Sequence, residues 1–421
     1  MSSQENLTVA EALEAVLAGV SVLSAESVPI LDALGRVLAE PVVARDSLPP
    51  FANSSMDGYA LRADDIVNAC MQTPITLDVV GDIAAGRMSG TVVTTGTAVR
   101  IMTGAPLPPG ADSVIPVEDT SEPWRDEERP LPKQIEIRRA VQPGDYVRGI
   151  GEDMLAGTAV LPQGHLLRPQ EIGVLASLGR SKVKVIRRPR VAILATGDEL
   201  LPVEEALQPG KIRNSNGYAQ ASQVKALGAE PIFLGIARDK EEDVRQKLQE
   251  GLDANVDLFV SSAGVSVGAY DVVKSVLVHD GQVGFWRVRM RPGKPLAFGT
   301  YAGIPYIGLP GNPVSAMVSF ERFARAAILK MAGHSAVERP QVTVILQDVI
   351  HSDGRESYVR AVVSRNQQGD YLATTTGSQG SHMMTSLVQA NALLIVPEGV
   401  EFVGRGEKLT AWMIDWPENV F

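Results

Sequence analysis

The spacing of apolar residues changes along this chain, and each change predicts a different kind of structure. Over residues 8 to 23, Val9, Leu13, Val16, Leu17 and Val20 recur at helical spacing. Thr8 and Glu11 stand as a capping box, so an amphipathic helix is predicted there. From about 27 to 150 the runs shorten, alternate and break at glycine and proline, as in Gly96-Thr97-Ala98-Val99-Arg100-Ile101-Met102. That texture predicts a β-rich, loop-rich region. The acidic, proline-containing stretch 118 to 132 reads as an exposed loop. A helix is predicted at 169 to 178, with Pro169 in its first turn and Gly179 just past its end.

From Arg190 strands alternate with helices. Strands are predicted at Val191-Ala192-Ile193-Leu194, at Ile232-Phe233-Leu234-Gly235-Ile236 and at 257–262, and helices near 216–227, 240–252 and 271–279. A long apolar helix at 313–331 closes the series. This spacing predicts βαβ units and a mostly parallel sheet. Beyond Pro340 only short strands follow, at 342–346, 358–363 and 391–396, which predicts a separate small β domain.

Composition removes several functional classes. With 421 residues the chain is long enough for two to four domains, and 45% hydrophobic with 21% charged residues excludes general disorder. Cys70 is the single cysteine, which excludes an intrachain disulfide and Cys-rich metal sites and suits a reducing cytoplasm. The five histidines show no metal-ligand spacing. A net charge of −10 argues against nucleic acid as a partner, while leaving room for a locally basic pocket. The sequence offers no long apolar span for a membrane and no basic start followed by an apolar stretch for export.

Candidate chemistry concentrates between 257 and 315. Three glycine- and proline-rich turns lie there: Ser261 to Gly268, Arg291-Pro292-Gly293-Lys294-Pro295 and Gly308-Leu309-Pro310-Gly311-Asn312-Pro313. Each follows or joins apolar runs, which is how an open α/β sheet builds a pocket at the carboxyl ends of its strands. Bare backbone lets a phosphate approach main-chain N–H groups, and Lys294 adds a cation on a stiffened loop. Glu199 follows Gly197-Asp198 at a strand end, a poor turn sequence unless a ligand sits beside it. Asp239 and Asp271 also follow strands, although Asp271 serves equally well as a helix cap. Carboxylates beside a phosphate cradle suit Mg²⁺. Gly264-Val265-Ser266-Val267-Gly268 also matches a hydrolase nucleophile elbow, but the following helical pattern begins too late for that geometry.

Further matches lie in Asn53-Ser54-Ser55-Met56-Asp57-Gly58-Tyr59-Ala60, Arg100 to Pro108, Gly151-Glu152-Asp153-Met154 and Thr196 to Leu200. In this order and spacing, with the three turns, the chain from about Leu7 onward resembles the molybdopterin molybdotransferase family of bacterial MoeA proteins and the gephyrin E domain. The resemblance implies an elongated multidomain chain of α/β plus β-rich domains: a central mostly parallel α/β domain, a β-rich insertion and a small barrel-like C-terminal β domain. The corresponding division is an N-terminal helix at 7–26 packing with the α/β domain, a connecting domain at 27–46 and 150–188, a β-rich domain at 47–149, a molybdopterin-binding α/β domain at 189–335 and a C-terminal domain at 337–421.

The implied reaction places molybdate on adenylylated molybdopterin and releases AMP, with Mg²⁺ assisting. It assigns catalysis to Asp57, Thr103, Glu199 and Asp239, with Asp153 nearby, and metal binding to Asp271 and Glu199. Substrate binding falls to Gly264, Ser266, Gly268, Gly293, Lys294, Pro310, Pro313, Arg360 and Ser381. Ala263 and Arg291 depart from the family's frequent glycine and lysine. The resemblance also implies a cytoplasmic homodimer with a cleft shared between subunits, and a molybdopterin adenylyltransferase and apo-molybdoenzymes as candidate partners. An adenylyltransferase is the alternative enzyme, and a scaffold the alternative of another class.

Overall fold

The computed structural model describes residues 6–88, 90–122, 130–262 and 272–415, which gather into two compact units. One comprises Met1–Ala39, Gly164–Ile172 and Ser181–Phe421, and the other Glu40–Gln163 and Gly173–Arg180. No helix among the described residues is long and apolar enough to cross a membrane.

In the first unit a seven-stranded sheet runs in the order Asn6–Leu7, Gly281–Val288, Pro295–Tyr301, Ile304–Leu309, Leu258–Ser262, Arg190–Thr196, Glu230–Ala237. The last four strands are mutually parallel, as the βαβ spacing predicts. Pro295–Tyr301 pairs antiparallel with both of its neighbours, so the sheet is mixed at this side. Val191 and Ile193 face one core with the helices Val9–Ala18, Ser215–Ala226 and Pro313–Ser319, while Ala192 and Leu194 face the opposite core with Glu241–Asp253 and Val272–Asp280. Burial on both faces explains the unbroken apolar run of this strand.

Two helices differ from their predicted form. The first ends at Ala18, not 23, because Gly19 is its cap and a side chain there would strike Phe298. The predicted helix 313–331 contains one π-helical turn, Phe320–Ala324, between Pro313–Ser319 and Arg325–Met331. The start predicted at Asp271 lies outside the described residues.

The C-terminal strands close into a barrel. Glu356–Arg365 pairs with Tyr371–Thr375, then follow Gln341–Leu346, Lys408–Met413 and Ala392–Val396, and the last returns to Glu356–Arg365. Closure leaves no free edge in the ring. Met290–Arg291 adds to this ring in parallel beside Glu356–Ser357, so the residues leading into the Pro292-Gly293-Lys294 turn are held by the barrel.

The second unit is built on a five-stranded sheet in the order Ser113–Pro116, Gly58–Leu61, Thr97–Ile101, Ile75–Ile83, Gln134–Ile137. Asn53–Ser54 and Gly58–Leu61 are strands where the sequence pattern suggests none. All four residues of Gly58–Leu61 are buried, so no polar alternation betrays it, and a side chain at Gly58 would overlap the Ile115 carbonyl.

Candidate functional site

A cleft of about 950 Å³ opens in the first unit at the carboxyl ends of the parallel strands, where Thr196, Ser262 and Pro310 line it. Its first wall is the loop after Arg190–Thr196. Gly197 has φ +144, and a Cβ there would lie 2.4 Å from Glu199 Oε2, so the Glu199 side chain folds back over a position only glycine can fill. The Glu199 carbonyl accepts from the Ile212 N–H at 2.8 Å, while its exposed carboxylate has no hydrogen-bond partner among the described residues. Asp198 and Asp239 bind each other's loops instead: the Asp198 N–H donates to Asp239 Oδ2 at 3.2 Å, and the Asp239 N–H to Asp198 Oδ1 at 3.3 Å.

Two helix N-termini reach the cleft. Asn214 caps Ser215–Ala226 by accepting from the Gly217 N–H at 2.9 Å, and Ser215 and Asn216 line the wall. Asn216 Nδ2 donates to the Gly311 carbonyl at 2.7 Å, fastening this helix to the turn that starts the other one at Pro313. Such ends present unpaired N–H groups and a positive partial charge.

The opposite wall is the turn Arg291 to Pro295. Gly293 has φ +112, and a Cβ there would lie 2.3 Å from Ser319 Oγ. The Lys294 carbonyl accepts from the Val288 N–H at 2.7 Å, and its exposed ammonium has no partner among the described residues. The barrel supplies the last wall through Arg355, Gln379, Gly380, Ser381 and His382. Arg355 Nη1 donates to the Met290 carbonyl at 3.0 Å, and its guanidinium holds the Asp353 carboxyl below the usual carboxylate range. Among the described lining residues Arg213, Arg291, Lys294 and Arg355 are cationic and Glu199 is the one carboxylate. In a chain of net charge −10 this local excess favours an anion.

Three family models match in order along the chain: the MoeA N-terminal region (domain I and II) at 7–179, a probable molybdopterin binding domain at 192–330 and the MoeA C-terminal region (domain IV) at 343–414. The chain is 40% identical over 388 residues to the molybdopterin molybdenumtransferase of a Nostoc species, covering 91% of this chain and 87% of that protein. It is 39% identical over 395 residues to molybdopterin molybdenumtransferase 2 of Mycobacterium tuberculosis, covering 92% of this chain and 94% of the relative. The chain belongs to the MoeA family. A crystal structure of the Pyrococcus horikoshii molybdopterin biosynthesis moeA protein superposes with a TM-score of 0.81 at 31% identity, covering 97% of this chain and all of the other.

For this family member the cleft gathers Glu199, Gly293, Lys294, Pro310, Pro313 and Ser381 from the residues singled out by sequence. Gly264, Ser266, Gly268 and Asp271 lie outside the described residues. Asp239 supports the Asp198 loop and does not line the cleft, whereas Arg360 is buried on the face of Glu356–Arg365 opposite the barrel core and lines a cavity of about 150 Å³ that shares Arg291, Pro292 and Gln379 with the cleft. In the second unit Thr103 donates to Asp57 Oδ1 from both its N–H and its hydroxyl, each at 2.7 Å, which joins two distant sequence segments. Asp153 is exposed, its N–H bonded to the Leu48 carbonyl at 3.0 Å. Sequence reasoning missed Asn214, Ser215 and Asn216, although Asn before a helix is a recognisable cap signal. It also missed Arg355, Gln379 and His382, which carry no local signal because barrel closure delivers them.

Proposed function

We propose that the chain is a molybdopterin molybdotransferase, which accepts adenylylated molybdopterin and molybdate in this cleft and releases AMP and the molybdenum cofactor. The observation that carries this reading is the union of two helix N-termini, a glycine-forced turn bearing Lys294, and the carboxylate of Glu199, both side chains without a partner among the described residues. Main-chain N–H groups at Ser215–Asn216 are suited to phosphate oxygens, the helix opening at Pro313 adds the positive end of its dipole while its Val314 N–H is held by the Ser381 carbonyl, and Lys294 adds a point charge. Cations and N–H groups fixed before the reaction stabilise negative charge that grows on the leaving phosphate, with little reorganisation. Mg²⁺ binds through one or two carboxylates plus phosphate oxygens; Glu199 would contribute one from the cleft, and Asp271, which lies outside the described residues, is the second that the family resemblance assigns. Bound there, the ion would neutralise charge on the phosphate linkage. Family matches on both sides of the central domain favour this enzyme over the adenylyltransferase alternative.

Incubating the protein with adenylylated molybdopterin, molybdate and Mg²⁺ should release AMP, and omission of molybdate or Mg²⁺ should lower the yield. Absence of AMP from the complete mixture overturns the reading. Lys294→Ala should weaken substrate binding by roughly 10- to 150-fold, the loss of one charge-assisted hydrogen bond of about 1.5–3 kcal/mol. Its melting temperature should stay unchanged, since the ammonium is exposed. Unaltered affinity by calorimetry removes Lys294 from the site.

We also infer a cytoplasmic homodimer, supplied by a molybdopterin adenylyltransferase and serving apo-molybdoenzymes. Sedimentation at micromolar concentration should give a dimer. Mixed dimers of Asp57→Ala and Glu199→Ala subunits should recover part of the activity that each variant lacks alone. A fully active monomer contradicts this assembly.

A further inference from the structure

Charges buried in a joint between structural elements add little net stability, because desolvation offsets much of their attraction, but removing one partner strands the others. Glu321 lies in the π-helical turn Phe320–Ala324, where the Arg325 N–H donates to the Phe320 carbonyl. Such turns are rare and frequently mark functional positions. The Glu321 side chain is 11% exposed, and its Oε2 accepts from Arg339 Nε at 2.8 Å, with Arg339 Nη2 also at 2.8 Å. Its Oε1 accepts from Gln223 Nε2 at 2.9 Å, and Arg325 Nε stands 3.8 Å from Oε2. The next residue repeats the contact with the charges reversed. Arg322 Nη1 donates to both Glu338 oxygens, at 2.8 and 2.9 Å, and the guanidinium lies 5.0 Å above the Trp412 ring. Burial first, and then Arg339, holds the Arg325 guanidinium below its ordinary pKa. Glu321 is the one carboxylate within ion-pair distance of Arg325 and Arg339 among the described residues.

These side chains come from the elements that carry three walls of the cleft, and none of them lines it. Gln223 is on Ser215–Ala226, whose first residues Ser215 and Asn216 line the cleft. Glu321 is on the helical run that opens at Pro313. Arg339 leads into the barrel strand Gln341–Leu346, and its Nη1 donates to the Ile414 carbonyl at 2.8 Å, just past the strand Lys408–Met413. We propose that Glu321 is a positioning residue: it ties both helices and the barrel together at one point behind the cleft, and so sets how the cleft walls stand to one another. Its effect on catalysis rests on the reading of the cleft as the substrate site, whereas its mechanical role does not.

Two backbone bonds cross between the walls and report on this joint. The Val314 N–H donates to the Ser381 carbonyl at 3.0 Å, and the Glu356 N–H to the Arg289 carbonyl at 3.1 Å. In the ligand-free protein, Glu321→Met should speed hydrogen exchange at both amides by at least about tenfold. Amides inside Arg190–Thr196 and Lys408–Met413 should keep their rates. Glu321→Gln keeps the shape and one acceptor, so it should shift the same two amides by less. Arg339→Lys keeps the charge but cannot reach Glu321 and the Ile414 carbonyl together, and it serves as the readout where Glu321→Met fails to fold. With adenylylated molybdopterin, Glu321→Met should raise KM by about tenfold and leave kcat nearly unchanged. Unchanged exchange at Val314 and Glu356 overturns the proposal. Faster exchange spread evenly over sheet and barrel overturns it as well, since Glu321 would then only stabilise the fold. So does a fall in kcat at constant KM, which would place Glu321 in the chemistry. A parent protein that releases no AMP strikes the reading of the cleft, and the exchange rates alone then decide the joint.

Discussion

Glu199→Gln should lower Mg²⁺-dependent AMP release by about 100-fold or more, the scale on which removing one positioned charge usually acts. The melting temperature should move by no more than a few degrees, as for a surface change of about 0.5 kcal/mol or less. The two halves of this expectation come from one observation. The Glu199 carboxylate is exposed at a strand end and has no hydrogen-bond partner among the described residues. Its neutralisation therefore leaves no cavity and strands no buried group. Glutamine keeps the shape that folds over Gly197 and removes only the charge that Mg²⁺ requires. Asp239 is the internal control. Asp239→Ala deletes an acceptor of the Asp198 N–H, so it should loosen that loop and lower the melting temperature more than Glu199→Gln does. Turnover retained by folded Glu199→Gln protein would take this carboxylate out of the mechanism.

Local signals were legible where the structure uses them locally. Thr8 and Glu11 form the capping box that their spacing announces, with Thr8 Oγ1 accepting from the Glu11 N–H at 3.1 Å and Glu11 Oε2 from the Thr8 N–H at 2.8 Å. The alternation beyond Arg190 gave the parallel strands because each pairs with a neighbour through an intervening helix. Gly58–Leu61 escaped because a strand buried on both faces has no polar period, and the end of the first helix because Gly19 is chosen by contact with Phe298. At the site, sequence found the strand-end carboxylates Glu199 and Asp239 alike. It could not tell a carboxylate that faces open space from one that fastens two loops, because that depends on the register of Arg190–Thr196 against Glu230–Ala237. Arg355 and Gln379 were beyond its reach for a related reason. They enter the cleft only once Met290–Arg291 has joined the barrel beside Glu356–Ser357.

Gly293→Ala should reduce substrate binding by about 100-fold or more, and it should also destabilise the protein by roughly 2–4 kcal/mol. Two independent costs fall on this one methyl group. The first is conformational: φ at Gly293 is +112, a region that L-residues avoid at about 1–3 kcal/mol each. The second is steric, since the new Cβ would sit 2.3 Å from Ser319 Oγ, in the helix behind the turn. Relaxation must move the Gly293-Lys294 backbone toward the cleft, which shifts the Lys294 ammonium and closes the approach to the main chain. Ser319→Ala separates the two costs. Ser319 Oγ is buried with no hydrogen-bond partner among the described residues, so removing it alone should be neutral or slightly stabilising. In the double variant Gly293→Ala, Ser319→Ala the clash is gone and part of the melting temperature should return. Binding should not return, because the φ requirement of the turn persists. Should Gly293→Ala bind adenylylated molybdopterin as tightly as the parent, the turn is no phosphate cradle, and the anionic part of the substrate must be held by the helix ends at Asn214 and Pro313.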